Sequence, residues 1–182
     1  LPPGQIWAIN AGGSEEPNGL YRIEVNSGPG SGVKILNRPI PPQFQESVRY
    51  AEQNLYSKGK ELVGDRDPRS HEFSVQLRAF DASKSGDGMG MAVLMAMCSS
   101  ILEKNTKGGM AIVGQLNLGG SLDLVYGAVN IAEVAIEKGA TTLLIPLNAR
   151  KQLNELSDDM ITKINIQYYT DLRDCLVKTL ME

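Results

Sequence analysis

The sequence predicts an α+β fold built on a mixed, partly parallel sheet. Three observations predict it. Residues 20–26 alternate, with Tyr21, Ile23 and Val25 set against Leu20, Arg22, Glu24 and Asn26, the period of a half-buried strand. Residues 89–102 are almost wholly apolar, the mark of a helix buried on most sides. The early strands are joined by turns, whereas the later ones alternate with helices.

Each element follows from its own residues. Residues 5–10 read as a strand and 20–36 as a hairpin, with its turn at Ser27-Gly28-Pro29-Gly30-Ser31-Gly32. Pro41 and Pro42 open a helix at the position where a missing N–H costs nothing. Phe44, Val48, Ala51 and Leu55 then follow at helical spacing, and the helix ends near Gly59 or Gly64. Residues 72–80 alternate, with Phe73, Val75, Leu77 and Ala79 on one face. Residues 110–113 form a short strand, and 116–124 a second hairpin around Gly119-Gly120. Residues 128–138 form a helix stopped by Gly139. Residues 141–146 are continuously apolar, as in a buried parallel strand. Residues 148–156 are helical and 161–169 extended. Residues 171–181 are a last helix capped by Thr170 or Asp171. Val75, Leu77, Ile112, Leu144 and Ile145 are expected in the core.

Length and charge narrow the function. The 182 residues suit one domain. Residues 1–91 carry 10 basic and 11 acidic groups and residues 92–182 carry 8 and 10, so neither half has the basic footprint of a nucleic-acid binder. No apolar run reaches the roughly 18 residues of a membrane span, and no signal peptide opens the chain, so the expected setting is cytoplasmic. Cys98 and Cys175 lie in apolar, helix-like runs and are expected as buried thiols in a reducing compartment. His71, the single histidine, excludes a metal site built on several histidines. Beside Asp67, Arg69 and Glu72 it reads as a solvated loop residue. The opening residue, Leu1, is that expected of a fragment of a longer polypeptide.

Two glycine-rich stretches invite a ligand reading. Ser27 to Lys34 is no phosphate loop, because Val33 separates Gly32 from Lys34 and a strand rather than a helix follows. Lys84-Ser85-Gly86-Asp87-Gly88-Met89-Gly90 lies between a strand and the buried helix, where exposed N–H groups suit an anion or an oxyanion.

This second stretch resembles the Lys-Asp-Gly-Pro-Ser-Ala-Gly motif of Lon-type ATP-dependent proteases. Gly114-Gln115-Leu116-Asn117-Leu118-Gly119-Gly120 is similar to that family's Gly-Glu-Ile-Thr-Leu-Arg-Gly hairpin. Gly127-Ala128-Val129-Asn130 falls where the family has Gly-Gly-Ile/Leu-Lys-Glu. Lys138-Gly139-Ala140-Thr141-Thr142-Leu143-Leu144-Ile145-Pro146 resembles its Ala-Gly-Ile-Lys-Thr-Val-Ile-Ile-Pro strand. Trp7 to Gly13 is similar to its Ala-Trp-Thr-x-Val-Gly-Gly, and Glu46-Ser47 to its helix-borne Glu-Ser. The matches run in order from residue 7 to about residue 180, nearly the whole chain. The resemblance implies the Lon proteolytic-domain fold, a mixed sheet flanked by helices, over residues 1–182. Residues 19–42 and the Lys-Ser-Gly-Asp-Gly-Met-Gly-Met block further resemble a subgroup, the Lon-like proteins of BREX phage-defence systems.

The family works through a Ser–Lys dyad, and a nucleophile and its base need hydrogen-bond reach. Carried over residue by residue, the serine position falls on Gly88 and the lysine position on Val129. Both dyad groups are absent. The resemblance therefore implies a domain without peptidase activity that serves ring assembly or regulation of an AAA+ protein, with phage defence as the setting. The alternative is an active ATP-dependent serine endopeptidase with relocated residues, for which Ser85 and Lys84 are the candidates. Ser85 precedes the motif position by three residues. Lys138 lies about 180° round the helix from Val129, and Glu133 shares the face of Val129 but has no nucleophile to serve. Asp87 and Glu133 are expected as packing or interface residues. A third reading is a free-standing binding module with no ATPase attached. No cofactor or metal is expected in these residues. ATP and magnesium are expected for the full-length protein, with an AAA+ module of the same chain, a homo-oligomeric ring, no membrane, and DNA contacts outside this fragment. Loops at residues 14–19, 27–32 and 65–70 are candidate ring contacts.

Overall fold

A computed structural model describes residues 1–11, 17–80 and 85–181. Strands β1 (Gln5–Ile9), β2 (Leu20–Pro29) and β3 (Val33–Ile35) lead to helices α1 (Pro42–Ser57) and α2 (Gly59–Val63), then to β4 (His71–Ala79) and α3 (Gly90–Leu102). Next come β5 (Met110–Ile112), α4 (Ala128–Glu137), β6 (Thr142–Pro146), α5 (Arg150–Leu153), α6 (Asp158–Ile161), β7 (Asn165–Tyr169) and α7 (Leu172–Thr179). Among the described residues these strands form one sheet, in the order β3-β4-β2-β1-β5-β6-β7. β2 is antiparallel to both β1 and β4, whereas β5, β6 and β7 continue from β1 in parallel. This is the expected mixed, α+β architecture.

Strand alternation decides which helices cover which face. Ile6, Tyr21, Ile23, Phe73, Val75 and Leu77 point into a core shared with α1, α3 and α7. Ile9, Ala111, Leu143 and Ile145 point the other way, beneath α4 and α5. Residues Met91 to Cys98 of α3 are all buried, because this helix packs on the sheet and on α1 and α7. Burying each of its large side chains stabilises the fold by roughly 1.5–3 kcal/mol. Val75, Leu77, Ile112, Leu144 and Ile145 are core residues, as expected.

Residues 20–36 do not form the expected hairpin. β2 runs on to Pro29 and pairs with β4 along its length, from Tyr21 opposite Ala79 to Pro29 opposite His71. β3 lies on the far edge of β4, parallel to it, with Val33 opposite Phe73. Glycine and proline marked a change of direction there. They carried no information about the later strand that takes the place between.

Other differences are local. The 116–124 hairpin shrinks to one bridge, Leu116 with Leu122, held at its tip by the Asn117 Oδ1, which accepts from Gly119 N–H (2.9 Å) and Ser121 N–H (3.1 Å). The extended run expected over 161–169 begins only at Asn165, and residue 161 ends α6, which Ser157 caps and whose first turn holds Asp158 and Asp159. Thr179, not Met181, ends α7, and Asp171 is its cap, accepting from Asp174 N–H at 2.8 Å. His71 is the half-buried first residue of β4 rather than a solvated loop residue, with its Nδ1 2.8 Å from the Asp67 carbonyl oxygen. Among the described residues no helix is long and apolar enough to cross a membrane.

Candidate functional site

The start of α3 and the 115–126 segment meet in a cleft of about 470 Å³. Its lining includes Ala11, Glu46, Tyr50, Asp87, Gly88, Gln115, Asn117 and residues 123–126. Gly88, the position matched to the family's serine, is therefore on the cleft wall. Its φ of 67° lies in the left-handed region, where L side chains are strained. A Cβ placed on Gly88 would also collide with the carbonyl oxygen of Ala11.

Three of the N–H groups at the start of α3 are used within the fold. Met89 N–H donates to Ser47 Oγ (3.2 Å), Gly90 N–H to Gln115 Oε1 (2.9 Å) and Met91 N–H to the Gly114 carbonyl (3.2 Å). Gln115 Nε2 donates in turn to Ser47 Oγ at 3.1 Å. A Cβ on Gly90 would strike the Gln115 amide oxygen and Leu116, so the amide fits against this helix start only because residue 90 is glycine. This corrects the expectation of exposed donors for these three groups, which are taken by one buried hydroxyl, one carboxamide and one carbonyl. Ser47 and Gln115 both lay in motifs visible in the sequence, but a capping role across 68 residues has no local signal.

Of the two substitute residues, Ser85 is the one whose place is described. Ser85 is buried, and its Oγ accepts from Asp87 N–H at 3.3 Å, the geometry of a tight turn. Lys84 lies outside the described residues. Val129 is the second residue of α4, half buried in the apolar cluster under that helix. The helix start beside it is closed as well: Ala128 N–H donates to Gln152 Oε1 (2.9 Å), whose Nε2 donates to the Val125 carbonyl (2.6 Å). Glu133 is exposed further along α4. Lys138 borders a separate hollow of about 210 Å³, with Trp7 and Leu20.

The electrostatics of the cleft are acidic. Glu46, Asp87 and Asp123 are its charged lining among the described residues. Tyr50 donates its hydroxyl to Glu46 at 2.8 Å, and that bond, with the carboxylate charge, holds the phenol above its ordinary value. Burial raises the Asp123 carboxyl above the usual carboxylate range. Neither cysteine offers a nucleophile. Both are buried in one cluster, and burial pushes Cys98 up to about 12 and Cys175 upward too. Among the described residues no three His, Cys, Asp or Glu side chains gather to hold a metal ion.

A family model described as the Lon protease (S16) C-terminal proteolytic domain matches residues 10–182. The chain is 23% identical over 179 residues to a Lon-like protease BrxL of Bacillus cereus (strain H3081.97), covering 98% of this chain and 26% of that protein. It is 22% identical over 163 residues to a Lon-like protease BrxL of Escherichia coli O9:H4 (strain HS), covering 89% and 24%. It is 27% identical over 183 residues to Lon protease 1 of Bdellovibrio bacteriovorus, covering 99% and 22%. The chain thus spans about a quarter of the length of these curated relatives.

Proposed function

The chain belongs to the Lon protease (S16) C-terminal proteolytic domain family, and from that premise we propose that it is a Lon-like domain that does not cut peptides and serves the assembly or regulation of an AAA+ protein. One observation carries the proposal. The serine position is Gly88, in a backbone conformation packed on Ala11 that leaves no room for a side chain. Acyl transfer needs a nucleophile, a base in reach of it, and donors aimed at the developing oxyanion. Glycine supplies no nucleophile, Val129 accepts no proton, and three of the N–H groups at the α3 start are already bonded to Ser47, Gln115 and Gly114. Loss of a nucleophile alone costs several orders of magnitude in rate.

The partners follow from the same reading. The similarity to proteins named Lon-like protease BrxL supports a place in BREX phage defence, in the cytoplasm. ATP and magnesium belong to an AAA+ module elsewhere on the full-length chain. The glycine-rich stretch here does not fit a triphosphate: Gly28 is paired in β2 opposite Glu72, and β3 rather than a helix follows Gly32. The module and this domain form a homo-oligomeric ring through a heterologous contact. Of the candidate contact loops, residues 65–70 hold a 3-10 turn, residues 27–29 are strand, and residues 14–16 lie outside the described residues. DNA is engaged by regions outside this chain, whose mixed charge gives little attraction for phosphate.

Fluorogenic peptides test the catalytic half of the proposal: no turnover above the blank is expected, and turnover lost in Ser85→Ala would establish the relocated dyad instead. Sedimentation of the full-length protein with and without ATP tests the ring, which a strict monomer would refute. Tight DNA binding by residues 1–182 alone, at about 0.1 M salt, would refute the placement of the DNA contacts.

A further inference from the structure

We propose that residues 105–108 are the docking edge for the chain that precedes Leu1: the incoming residues add a strand there, and Ser99 and Thr106 fasten that strand to the end of α3. This rests on the reading that the domain is one part of a longer chain. The matching family is that of a C-terminal domain, and the chain spans about a quarter of the relatives it matches, so in them most of the chain lies outside this domain.

Residues 105–107 are already the middle of a small ribbon. On one side Leu1 and Thr106 exchange two hydrogen bonds: the Leu1 nitrogen donates to the Thr106 carbonyl (2.9 Å), and Thr106 N–H donates to the Leu1 carbonyl (3.1 Å). On the other side Lys107 N–H donates to the Thr179 carbonyl and Met181 N–H to the Asn105 carbonyl, both at 2.9 Å, which sets Leu180 opposite Thr106. An exchanged pair marks an antiparallel ladder, and such pairs recur at every second residue. Towards Lys104 the ladder stops, because its partner there would be Pro3, which has no N–H. In the other direction the register puts the second residue before Leu1 opposite Gly108. Gly108 is exposed, its N–H has no partner among the described residues, and a Cβ on it would meet nothing within 4 Å, so the edge is open to a strand. Gly109, at a φ of 70°, then turns the chain into β5 and ends the edge.

Buried side chains hold the entering chain in place. Ser99, near the end of α3, accepts from Gly4 N–H (2.9 Å) and donates to the Lys104 carbonyl (2.6 Å). Thr106 Oγ1 donates to the Gln5 carbonyl (2.6 Å). Both residues are buried, where an unbonded hydroxyl would cost stability. Each of these bonds goes to the entering residues or to the segment that receives them. Gly4 also lies against the main chain of Val25, whose carbonyl a Cβ would strike, so the entering chain is pinned between β2 and α3. A displacement of the incoming strand is therefore passed to the end of α3, the helix whose start walls the cleft, and through Thr179 to the end of α7.

Amide hydrogen exchange resolved to single residues tests this in three forms of the protein: the full-length chain, residues 1–182, and a chain that begins about six residues before Leu1, the length of an ordinary strand. The Gly108 amide should exchange as an open amide in residues 1–182 and at least about tenfold more slowly in both longer chains. Thr106→Val keeps the shape of the side chain and removes its bond to Gln5, and in the longer chains it should weaken the protection of Gly108. Equal exchange of Gly108 in all three forms would overturn the proposal. So would protection found only in the full-length chain, because another module or a second copy would then cover the edge. Unchanged protection in Thr106→Val would overturn the fastening role. If that variant fails to fold, the three forms decide alone. The short extension separates the two readings, since its result does not depend on what lies further upstream. A full-length chain with no ATPase module would refute the AAA+ reading and leave the docking edge to be judged by Gly108.

Discussion

Gly88 packs against the main chain of Ala11, with the Ala11 carbonyl oxygen in the place a Cβ of residue 88 would occupy. A side chain therefore cannot be restored at residue 88 without moving Ala11, just after β1, or the α3 start. Gly88→Ser is expected to lower stability by at least about 1–2 kcal/mol from the left-handed conformation alone, measured by urea unfolding. The double variant Gly88→Ser with Val129→Lys should fold less stably still and cleave nothing. Peptide turnover by that variant would show that the loop rebuilds easily.

Ser47 joins α1 to the start of α3 by accepting from both Met89 N–H and Gln115 Nε2 while buried. Ser47→Ala strands two donors and should cost about 1–3 kcal/mol in urea unfolding. Gln115→Glu keeps an acceptor for Gly90 N–H but loses the donor to Ser47, and a smaller loss is expected from it.

Tyr169 is fully buried and donates its hydroxyl to the Val113 carbonyl at 2.6 Å. That bond ties β7 to the end of β5 across β6. Tyr169→Phe keeps the ring and removes the bond, so a loss of about 1–2 kcal/mol is expected with little change in the circular dichroism spectrum.

Asp174 sets an acid limit. Partial burial works against its ionisation, but the Thr170 N–H (3.0 Å) and the Lys178 ammonium (3.1 Å) outweigh that and hold the carboxyl below its ordinary value. A lowered folded-state value stabilises the fold above the unfolded pKa of about 4, and the gain is lost as pH falls through the lower folded value. Asp174→Asn should therefore reduce the fall in stability below about pH 4 while leaving less stability at pH 7. Parallel urea midpoints from pH 2 to 7 for both proteins check this, with roughly that window set by the carboxylate values.

Legibility in the sequence followed the range of the interaction. Alternation at Phe73, Val75 and Leu77, and the unbroken apolar run of α3, gave both the elements and the faces they bury. The partner of β2 was not legible, because pairing with β4 is chosen more than forty residues downstream by the fit of two long strands. At the site, the match of Gly88 and Val129 to the dyad positions rests on the resemblance of the motifs around them, which the sequence carries. The closing of three α3 donors could not be read there, since it depends on Ser47 and Gln115 arriving from α1 and from the segment after β5.

Prolonged incubation of residues 1–182 with unfolded casein tests the central claim most directly, with fragments counted by mass spectrometry against a protein-free blank. A chain whose serine position is closed by the Ala11 carbonyl should yield no fragments above that blank. Fragments that accumulate with the wild-type chain and vanish with Ser85→Ala would contradict it, and would place the nucleophile three residues before Gly88.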